Sequence, residues 1–188
     1  DSLASGDSSA ALGVISAVGS TLNVVAVVNA TGNATNATRT ERQAAKLRET
    51  MLSACLDTVG SMDLSSSADV SSILSAGSTM SSSPSQLSSS AQSNTMNLVN
   101  AVAESAAASG SATALSPDSA FYVMNSMGNL LQTDMFGSSN TTRTNGDPDA
   151  LAAAESMMDT SRNVVAGLMA SQFSGMDASS IVSDKLSL

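Results

Sequence analysis

The chain has 188 residues, a formal net charge of −9, 12% charged residues, no His, no Trp and a single Cys, Cys55. Without imidazole, and with one thiol, it lacks the usual zinc ligands and any His-assisted Ser or Cys nucleophile. Seven basic residues against sixteen acidic ones are the wrong balance for a phosphate-binding surface, so nucleic acid is not an expected partner.

The 39 Ser and 29 Ala make up about a third of the chain, whereas Leu, Ile, Val and Phe together fall just under the roughly one-fifth share at which disorder sets in. Composition therefore leaves open a disordered low-complexity linker or a helical domain whose core is built from small residues and Met. Periodicity separates the two, because apolar residues recur at helical spacing in six punctuated segments.

The stretch from Ser8 to Asn36 carries no charge. Ser16, Gly19, Ser20, Thr21 and Asn23 hold its hydrophobicity below that of a membrane-spanning helix, so a buried amphipathic helix over Ser9 to Val28 is expected. Its stripe is Leu12, Ile15, Leu22 and Ala26 with Val14, Val18, Val25 and Val28 beside it, a face wide enough for a central helix. It has no basic start and no cleavage pattern of a signal peptide, and a chain beginning at Asp1 reads as a piece of something longer.

Thr40 is the expected cap of a second helix over Glu41 to Val59. Ala44, Leu47, Met51, Cys55 and Val59 would face inward, with Glu41, Arg42, Lys46, Arg48 and Glu49 on a solvated face. Cys55 is expected to be a buried, inert thiol. A short third helix should start at Ser66 or Ser67, bury Val70, Ile73 and Leu74, and end near Gly77. Pro84 then stops propagation in a Ser-rich connector.

Ser88 can cap a fourth helix, Ser89 to Ala108, burying Ala91, Thr95, Leu98 and Val102 beside Met96, Val99 and Ala103. Ser116-Pro117-Asp118 is the strongest start signal: a capping hydroxyl, a Pro at the first helical position and an acid in the first turn. Phe121, Met124, Met127, Leu130 and Leu131 follow at helical spacing. Asp147-Pro148-Asp149 repeats the device for a sixth helix with Leu151, Ala154, Met158, Val165 and Leu168 facing in. Gly137 to Gly146 reads as a surface loop. The fold class is thus all-α, an antiparallel bundle of about six helices over residues 1–174. Residues 175–188 form a linker in which Ile181 to Leu188 either alternates into the first strand of a following β-subdomain or continues as helix.

Four Asn-x-Thr triplets, at Asn29, Asn33, Asn36 and Asn140, match the N-glycosylation acceptor pattern. Their number is near chance, but all four use Thr although Ser outnumbers Thr 39 to 15, and all fall where helical periodicity breaks. They read as glycosylated loops of an extracellular protein, or else as polar Asn/Thr/Gly loops of a cytosolic one.

Leu64-Ser65-Ser66-Ser67-Ala68-Asp69-Val70, Ile73-Leu74-Ser75-Ala76 and the Ser83 to Ser88 stretch, followed by Asn94 to Val99 and Leu115 to Ala120, resemble the helical region of the receptor-for-egg-jelly (REJ) modules of polycystin-like proteins. The resemblance covers about Leu12 to Leu188. It implies the all-helical first subdomain of a GAIN domain, with a neighbouring β-subdomain of the same chain and other extracellular chains as partners, at the cell surface and, as one setting, on cilia. No catalytic position carries over: the family's self-cleavage triplet contains His, and Leu186-Ser187 lacks the surrounding Cys and Trp.

The expected function is accordingly non-catalytic, with no cofactor and no metal: a helical domain that spaces, supports or shields a β-subdomain in a large cell-surface glycoprotein. A structural subunit or stalk segment of an extracellular glycoprotein filament is the alternative. Enzymatic activity is the weakest reading, because the Ser residues have no candidate base and Asp147/Asp149 are better explained as helix-start charges.

Overall fold

Among the described residues three helix starts are made by a serine, while Asp147, expected to open the sixth helix, lies outside them. The Ser116 hydroxyl accepts the amide of Ser119 at 3.1 Å, Pro117 occupies the first helical position and Asp118 stands in the first turn, so α5 runs Pro117–Leu130. Ser66 accepts the amide of Asp69 at 3.4 Å to open α3, Ser67–Ser81. Ser88 accepts the amide of Ala91 at 3.2 Å to open α4, Ser89–Ser109. In each case one orphan N–H of the first turn gains an acceptor.

The computed structural model describes residues 8–30, 34–60, 64, 66–109, 115–133 and 148–170. Towards the ends of α1, α2, α4 and α6 the backbone alone is described. The remaining helices are α1, Ser8–Ala30, α2, Ala34–Val59, and α6, Pro148–Ala170, with a single 3-10 turn at Pro84–Gln86. Among the described residues the protein is an all-α bundle of six helices without a strand. The expected loop at 137–146 and the alternating segment Ile181 to Leu188 lie outside them.

Three expectations about element bounds change. The second helix begins at Ala34, so Thr40 stands inside it rather than capping it. The third does not stop near Gly77 but continues to Ser81, because Gly77 serves packing: a Cβ there would lie 2.5 Å from Cδ2 of Leu98. Pro84, expected to halt a helix within a connector, also opens the 3-10 turn.

The centre of the bundle is α3, which packs against α1, α2, α4 and α5, while α6 packs on α4 and α5. The long apolar α1, expected to be central, is peripheral and leaves Val14 and Val24 exposed. Close approach explains the exchange. Gly19 of α1 meets α3 where a Cβ would be 2.9 Å from Cγ2 of Thr79, and the inward surface of α3 mixes Val70, Ile73, Leu74 and Met80 with Ala76, Gly77, Ser78 and Ser81. Small residues bring helix axes together, so a helix poor in large side chains can occupy the middle and be covered from several sides.

Two helices are rotated from the expected facing. On α2 the buried side chains are Ala44, Arg48, Leu52, Cys55, Thr58 and Val59, whereas Leu47 is exposed and Met51 only half-buried. Arg48 therefore belongs to the interior, not to a solvated face. On α6, Ala153, Thr160, Val164 and Gly167 face in, while Leu151, Met158 and Val165 are exposed and Ala154 and Leu168 are half-buried. On α6 the inner face is thinner than the apolar stripe it displaces. On α5, Met124, Met127 and Leu130 are buried as expected, but Phe121 and Leu131 stand at the surface.

Candidate functional site

The four acceptor asparagines are not brought together as a described site. Asn29 falls in the last turn of α1 and Asn36 in the first turn of α2, a helical setting where loops are expected. The side chains of both, and Asn33 and Asn140 altogether, lie outside the described residues.

The most elaborate polar cluster is one that periodicity did not signal. Arg48 is fully buried and spends its guanidinium on three elements. Nε donates to Oε1 of Gln86 at 3.1 Å, Nη1 to the backbone carbonyl of Met80 at 2.7 Å, and Nη2 to Oδ1 of Asn23 at 2.6 Å and to Oγ of Ser83 at 3.2 Å. Ser83 also donates to Asn23 Oδ1 at 3.3 Å, and Asn23 Nδ2 donates to the carbonyl of Thr79 at 3.2 Å. The cluster joins α1, α2, the end of α3 and the 3-10 turn.

All four partners of Arg48 are neutral, and burial lowers its pKa from the ordinary value. A guanidinium nonetheless stays protonated, so the interior holds a full positive charge. What compensates it is the C-terminus of α3, whose last carbonyls have no intrahelical donors and carry the negative end of the helix dipole. Four of its five N–H donors are engaged by protein oxygens and the side chain is fully buried, so the fork is not presented to an anionic ligand from solvent. Chemically this is a clamp.

Beside it, Ser88 has two roles, since its hydroxyl caps α4 and donates to Oε2 of Glu49 at 2.8 Å, tying α2 to α4. Across the bundle Asn100 donates to Ser156 Oγ at 2.6 Å and accepts from the hydroxyl of Thr160, pinning α6 to α4. These polar contacts set helix registers that small apolar side chains alone define weakly.

A cleft of about 360 Å³ opens between α1, α3 and α5, lined by Leu12, Gly13, Ser16, Ser71, Ser72, Ser75 and Tyr122. It presents hydroxyls without a charged side chain, and Ser72 already donates to the carbonyl of Ala68 at 2.8 Å. A serine nucleophile needs an adjacent base, and none lines the cleft. Cys55 is buried, with its thiol pushed up to about 12 by desolvation, so it is protonated and inert at neutral pH. Among the described residues no group of three His, Cys, Asp or Glu is placed to hold a metal ion, and no helix is long and apolar enough to cross a membrane.

Sequence reasoning found the caps at Ser66, Ser88 and Ser116, misplaced Thr40, and missed Arg48, Asn23, Ser83 and Gln86. The available signal was the spacing of Ala44, Arg48 and Leu52, four residues apart, which lines the arginine up with two apolar residues about 100° around the helix from Leu47. No protein-family model matches the chain, and neither a curated protein nor a solved structure is similar to it.

Proposed function

We propose that the chain is a non-catalytic extracellular domain, a rigid helical spacer and interaction module of a large cell-surface glycoprotein of the polycystin-like, REJ/GAIN-containing kind. It works without a cofactor beside a β-subdomain of the same chain. The observation that carries the non-catalytic part is the Arg48 clamp: the most deeply buried charge is consumed in locking four elements together. The hydroxyl-lined cleft offers no base. Compartment and family rest on the Asn-x-Thr triplets and on the capping patterns of the sequence.

Peptide-level glycan mapping of the native protein tests the compartment. Occupancy at one or more of Asn29, Asn33, Asn36 and Asn140 is expected, and four unmodified sites in a chain recovered from its own cell would overturn it. A second reading, a subunit of an extracellular glycoprotein filament, is favoured by the apolar side chains that α6 leaves exposed. Native material in which that face is covered by another chain supports the filament. A β-subdomain followed by a membrane helix supports the surface receptor or channel.

A further inference from the structure

We infer that α6 is a self-association surface, pairing antiparallel with α6 of a second copy of this chain. Its exposed large apolar side chains are Leu151 (59%), Met158 (58%), Val165 (38%) and Met169 (67%). The first three recur every seven residues, and Met169 follows four later. At about 100° per residue all four fall within a strip of about 40°, centred some 145° around the helix from the buried Ala153, Thr160 and Val164. α6 is thus apolar on two separate stripes, and the inner one alone is used by α4 and α5. A seven-residue repeat of large apolar side chains is the pattern of a helix that packs along a second helix.

The flanks identify that second helix. With Leu151, Met158 and Val165 at a positions, the half-buried Ala154, Ser161 and Leu168 take the d positions. The exposed Glu155 and Arg162 stand at e, on the side away from the bundle. In an antiparallel pair e positions face e positions. An axis passing beside residues 159 and 160 sets Leu151 opposite Leu168, Met158 opposite Ser161 and Val165 opposite Ala154 of the other copy. The same axis brings each Glu155 to the other copy's Arg162, twice by symmetry. One helix thus carries both halves of the charge complement, as an isologous interface requires. Arg162 is within reach, since it is exposed and now bonds Asp159 at 2.8 Å on the same solvated side. The inference holds whichever compartment the chain occupies.

Sedimentation equilibrium of the 188-residue protein reads the association directly. A stripe of this size lies at the small end of specific interfaces, so a dimer with Kd of about 1–100 μM is expected. Met158→Glu should weaken it at least about tenfold while leaving the helical circular dichroism unchanged, since Met158 is exposed. Glu155→Arg alone and Arg162→Glu alone should each weaken the dimer, and the double charge reversal should restore it. Residues seven apart on one helix are two turns apart, so that restoration arises only between chains. A chain that stays monomeric at about 1 mM, a dimer indifferent to Met158→Glu, or a double reversal weaker than either single change overturns the pairing. The first result would assign the stripe to a different protein or to another part of the parent chain.

Discussion

Burying a guanidinium without a carboxylate is costly unless its donors are met, and Arg48 meets the condition with neutral oxygens and a helix end. Arg48→Ala would leave Gln86 and the Met80 carbonyl without their donor, leave Asn23 Oδ1 with Ser83 alone, and open a cavity. We expect a loss of about 3–5 kcal/mol in urea unfolding. Arg48→Lys keeps the charge but loses the planar fork, and should cost about 1–3 kcal/mol. A double-mutant cycle with Asn23→Ala should show a coupling of about 1 kcal/mol or more, and strict additivity would mean that the 2.6 Å contact contributes nothing. Cys55 gives a pH signature. Its folded-state pKa is raised to about 12, above about 8.5 for a free thiol. Between those values the unfolded chain has lost a proton that the folded chain keeps, so stability falls as pH rises. The stability difference between wild type and Cys55→Ala should therefore shrink steadily from pH 9 towards pH 11, and the native thiol should resist Ellman's reagent. A difference that stays flat with pH would show that the thiol ionises equally in both states.

Among the elements, the glycines of α1 and α3 make opposite predictions. A Cβ on Gly77 would drive into the buried Leu98, whereas one on Gly13 would meet nothing within 4 Å. Gly13→Ala should therefore gain about 0.5–1 kcal/mol from helix propensity. Gly77→Ala, offered the same gain, should instead lose about 1–2 kcal/mol net through overpacking, and Leu98→Ala in the same chain should relieve part of the clash. Thermal melts of the three variants beside the wild type decide it; equal effects at the two glycines would remove close approach as the reason for Gly77. The same contrast explains what the sequence could tell. Caps at Ser66, Ser88 and Ser116 were legible because a hydroxyl, a following Pro or acid and an apolar run are local signals. The facing of α2 and α6 was not. Where Ala, Ser, Thr and Gly make the contact, as Ala153, Thr160 and Gly167 do, the large side chains no longer mark the inner face. Leu47 and Met158 looked inward by size, while the inner position beside Leu47 went to Arg48, whose acceptors come from residues 23 and 80–86 and leave no periodic trace.

At the scale of the whole molecule, the buried cluster is mostly Leu, Ile, Val and Met with a few Ala, but such large apolar residues are a small share of a Ser- and Ala-rich chain, so at about 25 cal/mol per Å² the bundle gains modestly from burial for its length. Polar locks and self-association then count for a larger share of its stability than they would in a Leu-rich bundle. If α6 pairs between copies, the melting temperature should rise by a few degrees as concentration increases about a hundredfold through the dissociation constant. Met158→Glu should abolish that dependence. A wild-type melting temperature unchanged across the series would separate folding from association.

The Arg48 clamp also has a consequence for synthesis. Every acceptor it uses lies between residues 23 and 86, so no later part of the chain is needed to satisfy the buried cation. As the nascent protein leaves the ribosome N-terminus first, the Arg48 hydrogen bonds can all form once Gln86 has emerged, before α4, α5 and α6 arrive to close over α3. The hazard of a stranded charge is met early, and the later helices add to a junction whose polar demands are already settled.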